Sequence, residues 1–219
     1  KKVLNWLIDN GYEDQKYSNK PISKKPKFKS TSDFIQKNEK AKVDTTSPFR
    51  WEVDLYEDYK QNLYSEKGKK ALEYLTERRK LSSDVIDEAD LGYMEFKGSK
   101  WIVIPLKDED GDVVNMRFRS LPPQKKDWRL CAGRPMPLYG EDTITQDRSS
   151  FIIIVEGELD VLAMKTYGYE RNVVSGTAGA TCNWKEKWLN ALEPYQGFYL
   201  WYDNDQAGDE GAEKLATKL

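Results

Sequence analysis

Three carboxylates stand where short apolar runs stop. Phe151-Ile-Ile-Ile-Val155 leads into Glu156-Gly157-Glu158-Leu159-Asp160, and Phe198-Tyr-Leu-Trp-Tyr202 leads into Asp203-Asn204-Asp205. Five consecutive apolar, β-branched or aromatic residues without polar alternation read as strands buried on both faces, the pattern of a parallel sheet. In open α/β sheets, ligands bind beyond the carboxyl ends of the strands. If the two strands are parallel neighbours, Glu156, Asp203 and Asp205 meet at one sheet edge. Uncompensated, such a cluster repels itself, so a divalent cation is its natural partner. Oxygen-only ligands favour Mg²⁺ or Mn²⁺ over zinc. Hard oxygen donors fixed at a strand edge suit phosphoryl chemistry, in which an ion bridges phosphate oxygens. The plainer alternative is a set of helix caps and solvated turn acids, and Asp205 stands where it would cap a helix opening near Ala207.

Two further stretches carry chemistry of the opposite sign. Between Arg117 and Arg134 lie Arg117, Arg119, Lys125, Lys126, Arg129 and Arg134 against one acid, Asp127. Arg117 and Arg119, two apart on an expected strand, share a face. Trp128 among these cations suits base stacking along single-stranded nucleic acid, although a solvated hairpin face with Trp128 in the core would read the same way. Ser175-Gly-Thr-Ala-Gly-Ala180 lies between an expected strand and a helix. Its small residues, Gly176 and Thr177 foremost, would let backbone N–H groups approach a phosphate. A plain strand–helix turn is the equal alternative.

The elements that must position these groups follow from periodicity. From Phe151 onward, strands at 151–155, about 172–175 and 198–202 alternate with helices at 160–168, 184–192 and 207–219. That alternation argues a parallel sheet with right-handed crossovers. Upstream, Tyr56–Tyr64 and Lys69–Lys80 read as helices, the second with Ala71, Leu72, Tyr74 and Leu75 on one face. Ser82 or Ser83 caps a further short helix. Trp101–Leu106 and Val113–Ser120 flank an Asp-Gly turn as a hairpin whose second strand alternates Met116/Phe118 with Arg117/Arg119. Residues 1–15 hold a short amphipathic helix stopped by Gly11. Residues 16–48 have the Lys, Ser, Asn, Thr and Pro composition of a mobile linker, with a local helix at 32–39.

Composition narrows the chemistry. Residues 1–50 carry twelve Lys/Arg against six Asp/Glu, which leaves an acidic excess on the remainder of a chain whose net charge is only -2. A basic arm on an acidic body suits anionic ligands handled through metal ions, and a solvated linker carrying Lys24, Lys25, Lys27 and Lys29 would look the same. The chain contains no histidine and two cysteines, Cys131 and Cys182, without a CxxC partner. These facts exclude a structural zinc site, a histidine acid/base and a Cys–His or Ser–His nucleophile within this stretch. Unpaired cysteines fit a reducing cytoplasm, and no apolar run exceeds five residues, so no membrane span is expected. A start at Lys1 and an end inside an expected helix read as a piece of a longer protein.

The motifs together resemble a known family. Apolar strand–Glu156-Gly-x-x-Asp160, strand–Ser175-Gly-Thr-Ala-Gly-Ala and strand–Asp203-x-Asp205-x-Ala-Gly208 are similar to a TOPRIM domain, the metal-binding fold of DnaG-type primases, topoisomerases and some nucleases. Tyr74-Leu-Thr-Glu-Arg-Arg-Lys-Leu-Ser82, Leu91-Gly-Tyr93, Ile102-Val-Ile-Pro with Met116-Arg-Phe-Arg119, and Pro137-Leu-Tyr-Gly140 resemble the preceding primase segments. Glu-Gly-Glu-Leu-Asp and the compact spacing look nearer to phage primase-helicases. The resemblance spans about residues 50–219. It implies an α+β subdomain at 49–147 followed by an α/β TOPRIM subdomain at 148–219 that stops short of a last strand, without the zinc module that normally precedes them.

It further implies metal binding by Glu156, Asp203 and Asp205, with Asp160 as an additional acid of the first motif. Arg117, Arg119, Lys126, Arg129 and Trp128 would hold template and nucleotide. The implied activity is short RNA primer synthesis on single-stranded DNA from NTPs with Mg²⁺ or Mn²⁺, beside a fused or separate replicative helicase. Two alternatives stand beside it: a TOPRIM nuclease or topoisomerase-like cleaver using Glu156 or Glu158 as acid/base, and a non-catalytic module that binds single-stranded DNA or docks a helicase.

Overall fold

The computed structural model describes residues 49–50, 52–144 and 151–219. The expected N-terminal helix at 1–15, the basic arm at 16–48 and its local helix lie outside the described residues. The first half pairs helices with an antiparallel sheet: α1 (Val53–Leu63), α2 (Lys69–Glu73) and α3 (Ser83–Glu88), then β1 (Gly92–Phe96), β2 (Ser99–Lys107), β3 (Val113–Ser120) and β4 (Trp128–Leu130). The second half alternates β5 (Phe151–Val155), α4 (Glu158–Thr166), β6 (Val173–Ser175), α5 (Glu186–Leu192), β7 (Gly197–Trp201) and α6 (Gln206–Ala216). The α+β part followed by a parallel α/β part is the expected fold class.

The antiparallel sheet runs in chain order β1-β2-β3-β4 and exceeds the expected hairpin by two strands. The turn from β1 to β2 is Lys97-Gly98, and both residues have positive φ, the geometry of a tight two-residue hairpin turn. Lysine at the first of those positions gives no Asn-Gly or Asp-Gly signal, which is why β1 escaped the pattern. The Asp-Gly turn between β2 and β3 forms as expected, with the Asp108 carboxylate accepting from the N–H groups of Asp110 and Asp112. Strand alternation sends Met94, Trp101, Val103, Met116 and Phe118 into one core, where they meet Tyr56 and Tyr59 of α1. Ile102, Ile104 and Leu106 face the other way, into a core that continues through Val155, Leu159, Leu162 and Val173. The two halves of the chain thus share one apolar layer.

The helix expected over 69–80 is α-helical only to Glu73. Tyr74–Arg78 form a π-helical turn, in which the Arg79 N–H donates to the Tyr74 carbonyl at 3.0 Å. Such single wide turns occur often at functional sites. A face count at 3.6 residues per turn cannot register it.

The parallel sheet has the order β6-β5-β7, with β5 hydrogen-bonded to both neighbours in parallel register. One face packs on Trp184, Trp188, Leu192 and Leu215; the other receives α4. The expectation of strands buried on both faces holds for the inner residues of β5 and for β6, and fails for β7. Tyr199 and Trp201 remain 37% and 42% exposed. β7 is one of the two edge strands of the described sheet, and α4 packs on the β6 side instead. No helix among the described residues is long and apolar enough to cross a membrane.

Candidate active site

The acidic half of the site is built from three strand ends. Register pairs Val155 of β5 with Ser175 of β6 and with Trp201 of β7, so the residues that follow each strand emerge at one edge. The Ser175 hydroxyl donates to the Glu156 carbonyl at 3.0 Å, which ties the β6 loop to the β5 end. The Asp203 N–H donates to Glu156 Oε2 at 3.4 Å, which ties the β7 end to the Glu156 side chain. Gly179, at φ +69°, lies beside the same carboxylate: a Cβ there would be 3.6 Å from Glu156 Oε1. Glu156 is therefore the residue on which all three loops converge.

Asp205 takes a different part. Its carboxylate caps α6, accepting from the Gly208 N–H at 2.8 Å. Gly208 is required by close approach, since a Cβ at that position would stand 2.0 Å from the Asp203 carbonyl oxygen. That contact seats the first turn of α6 directly against the Asp203 loop. Asp160, in the first turn of α4, is pushed above the usual carboxylate range. Burial is the largest cause, and the charges of Asp203 and Glu156 add to it against the opposing Arg79 guanidinium and the Gly157 backbone.

The expected cluster of ligands is thus only partly assembled. Among the described residues, no three Asp, Glu, Cys or His side chains are gathered around one point as an ion would require. The reason is local: Asp205 finds its donor in its own helix, Glu156 finds one in the Asp203 backbone, and like charges resist closer approach. The donor chemistry nevertheless fits a hard divalent cation. Glu156, Asp203 and Asp160 are all carboxylates, close enough to raise Asp160 electrostatically, and no soft ligand stands among them.

The basic half faces inward instead of outward. Every residue of β3 is buried, Arg117 and Arg119 included. Arg117 Nη1 donates to Glu158 Oε1 at 2.5 Å, with the two side chains 11% and 2% exposed. The Arg117 guanidinium also lies over the Trp128 ring at 4.4 Å, and Arg119 approaches the same ring at 5.6 Å. This follows from register, because Trp128 on β4 pairs directly with Arg119 on β3. Guanidinium thus lies against the indole ring of Trp128.

Arg119 donates through Nη1 to the Tyr74 hydroxyl, and Arg79 donates through Nε to the same oxygen at 2.8 Å. Burial pushes the Tyr74 phenol up, but the two guanidinium hydrogen bonds outweigh it, so the phenol sits below its ordinary value. The remaining expected contact residues lie elsewhere. Lys126 is exposed on the segment leading into β4. Arg129 is exposed on β4 and paired with Asp127 at 2.6 Å. Gly176 is buried, and the Thr177 hydroxyl oxygen is buried without a hydrogen-bond partner.

Tyr74, Arg79 and Glu158 were not singled out for these roles by sequence reasoning. Arg117 and Glu158 are 41 positions apart, so nothing local signals their pairing. The one available signal for Tyr74 and Arg79 is their shared place in the Tyr-Leu-Thr-Glu-Arg-Arg stretch. They meet only because of the π-helical turn. In a regular helix, residues five apart are separated by about 1.4 turns and diverge.

Comparison with known proteins agrees with this architecture. A Toprim-like family matches residues 153–219. No curated protein sequence matches the chain. Among solved structures, the zinc-binding and RNA polymerase domains of Aquifex aeolicus primase match at 20% identity and TM-score 0.61, covering 76% of this chain and 50% of that one. A DnaG primase catalytic domain bound to single-stranded DNA matches at 20% identity and TM-score 0.57, covering 74% and 62%. The primase fragment of the bacteriophage T7 primase-helicase matches at 22% identity and TM-score 0.53, covering 65% and 59%. The chain thus spans between half and two thirds of these solved chains. The fold is that of primase catalytic cores, with a Toprim-like domain matched at residues 153–219.

Proposed function

We propose that this chain, which carries the fold of a primase catalytic core, is a DNA-directed RNA polymerase that makes short primers on single-stranded DNA from NTPs. The observation that carries the reading is one juxtaposition. The first turn of α4 holds Glu158 against Arg117 and brings Asp160 near Arg79, while Glu156, two residues earlier, sits at the acidic strand edge. A carboxylate edge and a guanidinium cluster meeting on one turn suit a substrate that is anionic and metal-bound. Glu156 and Asp203, with Asp160 nearby, would hold Mg²⁺ or Mn²⁺, and Asp205 would join them or hold the loop through its cap. A divalent cation so held screens triphosphate charge and favours ionisation of an attacking hydroxyl.

The protein's own part is binding and orientation. Arg79 and Arg119 offer guanidinium N–H groups to anionic oxygens, and exposed Lys126 and Arg129 face the template backbone. No side-chain base is required of the chain, which suits one without histidine. The ion pair to Arg117 engages Glu158, which disfavours it as the acid/base of a DNA cleaver. The single-stranded DNA bound by the matched DnaG domain supports the same template, and the T7 match supports a fused or separate helicase as partner. A replication role in a bacterial or phage-infected cell would place the protein in the cytoplasm.

The test is incubation with a single-stranded DNA template, four NTPs (one labelled) and Mg²⁺ or Mn²⁺. Short labelled RNA is expected. Shortened DNA without RNA would replace this reading with a nuclease, and template retention with neither product would replace it with a binding module.

A further inference from the structure

Two cations that would otherwise repel meet on one neutral oxygen. The Tyr74 hydroxyl accepts from Arg79 Nε and from Arg119 Nη1, and both guanidiniums also lie over the Tyr74 ring, at 5.8 and 5.2 Å. The contact depends on backbone geometry: the π-helical turn brings Arg79 back over a residue five positions earlier. Arg119 comes from a different element, the centre of the antiparallel sheet. Tyr74 is thus the point where helix and sheet present their cations together. Arg79 Nε is engaged with Tyr74 in a geometry that fixes the plane of its guanidinium, whose far edge can then meet a bidentate anion. The same Arg79 lowers the charge cost at Asp160 on the acidic side.

We infer that Tyr74 is a positioning residue, whose phenol oxygen fixes the Arg79 and Arg119 guanidiniums in the orientation that captures the triphosphate of a nucleotide. The inference rests on the nucleotide-polymerising reading above. Without the phenol oxygen, the two guanidiniums lose their common acceptor and repel each other. The ring and its contacts with the surrounding core are kept by phenylalanine.

The test uses the full chain and Tyr74→Phe, with two separate readouts. Solvent exchange of the Arg79 Nε–H, followed in ¹H–¹⁵N spectra, reports the positioning itself. Affinity for ATP in the presence of Mg²⁺, measured by calorimetry, reports its consequence. Exchange at Arg79 is expected to speed up about tenfold or more, as a hydrogen bond to a charged group is lost. ATP affinity should fall about five- to tenfold while single-stranded DNA affinity stays at the wild-type value and the variant keeps a cooperative thermal transition, shifted a few degrees down by the lost hydrogen bonds. Unchanged exchange overturns the positioning role, and faster exchange with unchanged ATP affinity overturns its link to nucleotide capture. Failure of the wild type to bind ATP would overturn the functional reading instead. The exchange readout would then still decide whether Tyr74 holds the two arginines.

Discussion

The acidic and basic halves of the site are built on opposite principles. At the carboxyl edge of the parallel sheet, Glu156, Asp203 and Asp205 stand on loops, share one sign of charge with Asp160 of α4, and are tied through backbone N–H groups. Across from them, the cations stand on β3 and a helical turn, and the arginines at 117, 119 and 79 each have a side-chain partner. An edge of unmatched carboxylates gains from an added cation. A paired guanidinium cluster is already arranged, and what it offers an incoming anion is orientation. The contrast separates carboxylates held only by backbone N–H groups from guanidiniums already held by other side chains.

The largest effect should come from the unmatched side. Asp203→Asn or Glu156→Gln removes a candidate metal ligand with little loss of packing. Loss of an outer partner of a metal site already costs about 10–100-fold, so primer yield should fall by more than about 100-fold. Thermal stability should hold, because one of several repelling charges is gone. Primer synthesis near the wild-type level in both variants would dissolve the contrast from the acidic end.

On the basic side, breaking a pair should first cost stability. Glu158→Gln leaves the buried Arg117 charge without its counter-ion, and such removals cost about 3–5 kcal/mol. Denaturant titration measures it, and Arg117→Met combined with Glu158→Leu should recover most of the loss, since two apolar groups replace the pair. An unstable double variant together with a stable single one would show that the ion pair is not what holds these elements.

How much of this could be read from the chain alone depends on the range of the interaction. The parallel sheet and its acidic edge were legible because each strand is a local apolar run and each acid follows its strand directly. The alternation of Arg117 and Arg119 with Met116 and Phe118 was equally local. Their burial was not, because it depends on Glu158, Tyr74 and Trp128, which arrive from three other elements. β1 hid behind a Lys-Gly turn that lacks the usual residues, and the exposed face of β7 depends on where α4 settles. The side-chain arrangement at Glu156 and Asp205 was hidden for the same reason: capping and backbone hydrogen bonds compete for the carboxylates, and spacing does not say which competitor wins.

A smaller effect separates the exposed cations from the buried ones. Lys126 and Arg129 should contribute to DNA affinity through phosphate charge alone. Each lost contact lowers the slope of log affinity against log salt by about 0.7 on single strands. Lys126→Ala with Arg129→Ala should reduce the measured slope accordingly while leaving ATP affinity in place. An unchanged slope would remove β4 from the template path, and a loss of ATP affinity would merge the two classes of cation that the structure keeps apart.

The finest test of the contrast is the ionisation of Tyr74. Its phenol sits below the ordinary value because two guanidinium hydrogen bonds outweigh its burial, whereas burial pushes Tyr59 up to about 12 and acts the same way on Tyr202. A phenol with a depressed folded-state value ionises earlier in the native protein than in the unfolded chain. By linkage its contribution to stability then grows as pH rises from the folded value towards the unfolded one, and is lost as pH falls back through the folded value. Absorbance titration near the phenolate band should show a first step below the normal tyrosine range that disappears in Tyr74→Phe. The stability gain over the same interval should vanish in that variant as well. If the step persists, some other tyrosine is responsible, and the two arginines do not converge on the Tyr74 oxygen as the structure shows them doing.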